Sequence, residues 1–153
     1  MAQGVNMQVG PMTLTALAGA TLAVQVGLNA TMRGHAGSPM AAALINFMVG
    51  TVFLAIVLFS ARGSFANFAQ ATGAPWWAWC GGILGGLYVA ASAAFGPAIG
   101  GATFLALIVA GQMVTALTLD HFGLLGFPVR LLDAWRLAGA TLVIAGMFLL
   151  ARD

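Results

Sequence analysis

Gln25 and Asn29 stand one helical turn apart on one face of an otherwise apolar run, with Thr21 a further turn back. Asn46 sits at the middle of the next apolar run. An amide inside an oily helix costs free energy unless it meets a partner or a wet cavity. Two chemistries are open to such groups. They can glue helices together, at about 0.6–2 kcal/mol per hydrogen bond, or they can contact a polar solute. Tyr88 and Ser92 are likewise a turn apart, with Gly81 and Gly85 on the same face. A hydroxyl face beside a glycine groove can line a cavity or pack against a neighbouring helix. Gln112 and Thr115 share a face in a later run. A substrate-contacting set would therefore be Gln25, Asn29, Asn46, Tyr88, Ser92 and Gln112.

Charged groups are few. Asp120 is one of three carboxylates; Asp133 reads as a helix cap and Asp153 is C-terminal. Asp120 is open to carrying a proton, to pairing with Arg130 or Arg33, or to standing solvated at a helix end. No carboxylate or histidine occupies the middle of an apolar run, which argues against the deep titrating group of proton-driven cation pumps. Catalysis needs a nucleophile and a base, or metal ligands, in reach of one another. His35 and His121 lie in separate loops, Cys80 is alone, and no HExxH or GxSxG motif occurs. The chain reads as a non-enzyme with no metal and no cofactor. The string Gly81-Gly-Ile-Leu-Gly-Gly86 follows no strand and lies in a membrane-like run, so it is no nucleotide loop.

The elements that position these residues follow from composition. Of 153 residues, 61% are hydrophobic and 5% charged, with mean hydropathy +1.02. A soluble domain carries about 25% charged residues. Lipid must therefore be the main solvent. The net charge of +2 forms no basic patch, which speaks against nucleic acid. The first ten residues hold no basic residue, so no cleaved secretory signal is expected. Residues 1–11 are expected as a flexible N-terminus, and residues 12–153 as one domain of five transmembrane helices. The expected spans are 12–32, 40–60, 75–95, 98–119 and 134–151. Ser38-Pro39 supplies an N-cap and a first-turn proline. Pro75-Trp-Trp-Ala-Trp79 anchors the third span at the lipid boundary, and Pro97 is expected to end it. Residues 64–74 read as a loop, with room for an interfacial turn.

An odd number of spans puts the termini on opposite sides. Arg62, Arg130 and Arg136 fall on one side, Arg33 and Arg152 on the other. Orientation is set by an excess of Arg and Lys on one side. Three against two gives weak preference, and copies inserting both ways are expected. Gly139 and Gly146, two turns apart in the last span, form a stripe suited to close helix packing, within the molecule or between copies.

Gln25-Val-Gly-Leu-Asn29, Gly37-Ser-Pro39, Ala43-Leu-Ile-Asn-Phe47, Trp79-Cys-Gly-Gly82, Ala110-Gly-Gln112, Asp120-His-Phe-Gly123 and Arg136-Leu-Ala-Gly139 occur in that order. Together they resemble the YdcZ-type branch of the drug/metabolite transporter superfamily, over nearly the whole chain after residue 10. The resemblance implies a multi-pass inner-membrane protein that is all-α, half of an inverted-repeat transporter fold. It further implies an antiparallel dimer, of this chain or with a paralogous half, and a dimerisation role for Gly139 and Gly146. The small exporters of the superfamily carry an acid in the first helix, where this chain has Gln25 and Asn29. A neutral-amide site suits a small polar or amphipathic metabolite better than a lone cation. The expected function is secondary transport with alternating access; the rival is a non-transporting membrane subunit, or half of a hetero-oligomeric transporter. Lipid is a partner in either case.

Overall fold

The computed structural model describes residues 2–61 and 66–152, with side chains from 9 to 61 and from 69 to 152. Arg62, used above for topology, lies outside them. The regular structure among the described residues is all helical: α1 (Ala2–Ala36), α2 (Pro39–Ser60), a short α3 (Ala66–Ala71), α4 (Cys80–Ile99), α5 (Gly101–Phe122) and α6 (Ala134–Leu150). Among the described residues, four stretches are long and apolar enough to cross a membrane: Val9–Ala36, Pro39–Ser60, Trp76–Ile99 and Gly101–Phe122. The shortest has 22 residues, enough for the ~30 Å hydrocarbon layer. The last helix, α6, is apolar but has 17 residues, about 25 Å, at the lower limit for a span. Two compact units divide the chain, Met1–Ala98 and Ile99–Asp153.

In the first unit, α1 runs without a break through Pro11, so residues 2–11 are helical and the helix starts upstream of the expected position 12. It stops at Gly37, whose φ of 76° lets its N–H reach back to the Arg33 carbonyl at 3.0 Å. Ser38 then caps α2: its side chain accepts from the Ala41 N–H at 3.1 Å, and Pro39 takes the first helical position. Trp76, Trp77 and Trp79 form a single 3-10 turn ahead of α4, and all three are exposed. That exposed ring at one end of a span is where amphipathic indoles are stable in a bilayer.

Pro97 does not end α4, which continues to Ile99. The missing proline N–H frees one acceptor, the Ala93 carbonyl four residues back. Arg33 Nη1 donates to Ala93 O at 3.3 Å and to Ala94 O at 3.1 Å. With that acceptor met from α1, the helix has no reason to stop. Close approach of α1 and α4 is set at Gly96, where a Cβ would lie 2.7 Å from Val26 Cγ1. The buried side of this unit is built from small residues: Ala42 and Ala43 on α2, and Ala90, Ser92 and Ala93 on α4.

In the second unit, α5 ends at Gly123, whose left-handed φ of 61° closes the helix with an N–H bond to Leu119 O. Leu125 also has a positive φ, 54°, a conformation that costs a side-chain-bearing residue about 1 kcal/mol. Asp133 caps α6, accepting from the Arg136 N–H at 2.8 Å. The connection is tied back to α5 by Arg130 N–H to Asp120 O at 2.8 Å and Leu132 N–H to His121 Nδ1 at 3.2 Å.

Candidate substrate cavity

The polar residues of the first unit meet where α1, α2 and α4 come together. Asn29 is 1% exposed and Ser92 fully buried. Asn29 Nδ2 donates to Ser92 Oγ at 2.6 Å, and Asn29 Oδ1 accepts from Asn46 Nδ2 at 2.7 Å. The Ser92 hydroxyl in turn donates to the Val89 carbonyl at 2.8 Å. One side chain from each of three helices thus closes into a chain of hydrogen bonds. The local reasons are simple. Asn29 follows Gln25 and Val26 by one turn on the inward face of α1, and the small Ala93 and Gly96 beside Ser92 let the helices approach.

Beside this chain lies a cavity of about 220 Å³, lined by Gln25, Asn46, Phe47, Gly50, Thr51, Leu54 and Val89. Its wall is apolar apart from the two amides and the Thr51 hydroxyl. Gln25 is half-buried and makes no hydrogen bond among the described residues. The Phe47 ring sits over Gly85, where a Cβ would be 3.2 Å from Cζ. The site can therefore offer amide donors and acceptors, a hydroxyl and an aromatic ring, and no charge.

The expected residues divide. Gln25 and Asn46 border the cavity. Asn29 and Ser92 stand behind it, bonded to each other. Tyr88 is packed against Ala43, Val89 and Ala90 rather than on the cavity wall. Gln112 is exposed on α5, in the second unit. Phe47, Gly50, Thr51, Leu54 and Val89 join the cavity wall without carrying a polar signal of the kind that marks Gln25 and Asn46. The signal for them was spacing, since Phe47, Gly50, Thr51 and Leu54 fall on the face of α2 that starts at Asn46–Phe47. Asp120 is paired, and its partner is Arg136 rather than Arg130 or Arg33. The same Arg136 donates from Nη1 to the Arg130 carbonyl at 2.8 Å. Gly139 is exposed, while Gly146 lines an apolar groove of about 580 Å³ between α5 and α6, with Leu105, Val109, Leu142 and Leu150 among its other walls.

Residues 10–149 match the sequence model of a family described as "Putative inner membrane exporter, YdcZ". The chain belongs to the YdcZ family. It is 34% identical over 136 residues to inner membrane protein YdcZ of Escherichia coli strain K12, an alignment covering 88% of this chain and 90% of that protein. No solved structure matches the chain significantly. Membership places it in the inner membrane, in agreement with its apolar helices. It also points to handling of a small molecule in an exporter-like role, and away from catalysis.

Proposed function

We propose that this protein is a secondary transporter of a small polar or amphipathic metabolite, with the cavity bordered by Gln25 and Asn46 as its binding site. The cavity carries the reading. It is a polar-edged space inside apolar helices, with an amide, Gln25, that hydrogen-bonds to no other described residue. An uncommitted half-buried amide is costly in lipid and useful to a solute. The family description as an exporter agrees with this. The absence of charge on the cavity wall favours a neutral or zwitterionic solute over a lone cation.

The working unit in this reading is an antiparallel dimer that alternates access to the two sides, as inverted repeats do in transporters. Two features support it: the near balance of Arg between the two sides and the apolar groove at Gly146, which would accept a helix of a second copy. Gly139 lies two turns away on the same helix and would extend that contact.

The test is reconstitution of the purified protein in liposomes, challenged with a panel of polar, zwitterionic and cationic solutes. Movement of at least one polar or zwitterionic solute, lost in Gln25→Ala, is expected. If no member of the panel moves, or Gln25→Ala moves it as well, the reading fails. Reporters fused to the C-terminus and active on only one side of the membrane should give signal from both sides; signal from one side alone would remove the antiparallel homodimer.

A further inference from the structure

Pro97 leaves the Ala93 carbonyl without its helical donor, and within a membrane such an acceptor must be met by another group. Arg33 meets it, and its Nη1 is shared between Ala93 O and Ala94 O at 3.3 and 3.1 Å. The position of this contact gives it consequence. Arg33 is one turn beyond Asn29 and two beyond Gln25, so all three lie along one face of α1. On α4, Ala93 directly follows Ser92, the partner of Asn29. The α1–α4 seam behind the cavity is thus held by two adjacent clamps. One joins side chains, Asn29 to Ser92. The other joins Arg33 to backbone that a proline has left open.

We propose that Arg33 is a latch on the cavity: it supplies the hydrogen bond that Pro97 removes, steadies α4 at the proline, and keeps the Asn29–Ser92 contact closed. When Arg33 lets go, α4 bends at Pro97, where one backbone bond is already missing, and the seam beside the cavity parts. Helix kinks are centred where the ladder is broken, and a proline is the commonest break. A guanidinium can leave a carbonyl for water or lipid phosphate at the end of a span without being stranded in oil, because its long stem reaches the interface. The inference rests on the cavity reading above only for what the opening serves; the bond between Arg33 and the proline-freed carbonyl stands apart from it.

The experiment is a double-mutant cycle read by access to the cavity. Val89 lines the cavity and is buried at 5% exposure, and Val89→Cys in a Cys80→Ala background places one thiol there. Its rate of reaction with a membrane-impermeant maleimide is measured in detergent micelles, with and without Arg33→Ala, and with Pro97 present or replaced by Pro97→Ala. The alanine N–H in Pro97→Ala restores the bond to Ala93, so Arg33 should become dispensable. Arg33→Ala is expected to speed labelling about tenfold or more with Pro97 present, the factor that follows from losing a charge-assisted hydrogen bond. In Pro97→Ala the change should stay within about twofold, the usual scatter for independent sites. Equal acceleration in both backgrounds, or none with Pro97 present, overturns the latch. If Arg33→Ala alone does not fold, recovery of a monodisperse protein by Pro97→Ala supports the same coupling, and failure to recover it overturns the proposal. Labelling reads access whether or not a solute is carried. A failed transport assay beside an intact labelling cycle would therefore remove the transporter reading and leave the latch.

Discussion

Asn29→Ala and Gln25→Ala should behave oppositely, although the two residues are alike in chemistry and one turn apart. Asn29 is 1% exposed and makes two side-chain hydrogen bonds, to Ser92 and from Asn46. Interhelical bonds of this kind contribute about 0.6–2 kcal/mol each, so Asn29→Ala should destabilise the protein by about 1–4 kcal/mol. Gln25 is half-buried and bonds to none of the described residues, so Gln25→Ala should stay within about 0.5 kcal/mol while removing solute binding. The assay is unfolding of purified protein in detergent micelles, by heat or by titrated sodium dodecyl sulfate, beside the transport panel. A cycle of Asn29→Ala with Ser92→Ala should return a coupling of about 0.6–1.7 kcal/mol. If Asn29→Ala costs no more than Gln25→Ala, or the cycle is additive, the three-helix chain of bonds does not hold the helices and the division of the amides into glue and wall is wrong.

Further outcomes follow from single contacts. Gly96→Ala places a methyl 2.7 Å from Val26 Cγ1, and β-branched Val26 has little freedom to turn away; a loss of about 1–3 kcal/mol is expected, with partial recovery in Gly96→Ala/Val26→Ala, read by the same unfolding assay. Leu125→Gly relieves a positive φ of 54° and should stabilise by up to about 1 kcal/mol. Arg136→Lys should not replace Arg136, because the one guanidinium serves both the Asp120 carboxylate and the Arg130 carbonyl. With both partners of the pair partly exposed, its loss should cost no more than about 1 kcal/mol and should act mainly by loosening the α5–α6 connection, seen as faster proteolysis between residues 123 and 133.

The parts of the fold legible in the sequence are those fixed by residues close along the chain. Ser38-Pro39 and Asp133 announce helix starts because a cap and its N–H are three residues apart. Gly37 marks a helix end because the backbone there needs a positive φ. Pro97 is the opposite case, since α4 continues through it to Ile99. A proline stops a helix when nothing meets the carbonyl it frees, and the group that meets it, Arg33, is sixty residues away. The site divides along the same line. Gln25, Asn29, Asn46 and Ser92 are all recognisable as polar groups in apolar helices, but which of them is spent on another depends on a pairing 63 residues apart. The expected partners of Asp120, Arg130 and Arg33, give way to Arg136, because the turn at 123–133 brings that guanidinium back to the end of α5.

Asn46 belongs to both halves of the site. Its amide nitrogen is bound to Asn29 Oδ1, and the same side chain borders the cavity beside Gln25. Asn46 Nδ2 has two hydrogens, one of them given to Asn29; a solute that turns the whole amide toward itself weakens that bond, and Asn29 is one of the two groups that clamp α4. Binding and helix packing therefore share one amide group. A ligand changes a conformational equilibrium only by interacting differently with the two states, and the shared amide supplies such a difference. Asn46→Asp tests this in one step: it removes the amide donor to Asn29 while keeping the size of the side chain. In that variant the Val89→Cys thiol should label faster without solute, and added solute should change the rate less than in the parent. If solute shifts labelling equally in both, Asn46 does not link the cavity to the seam, and the coupling must run through another contact.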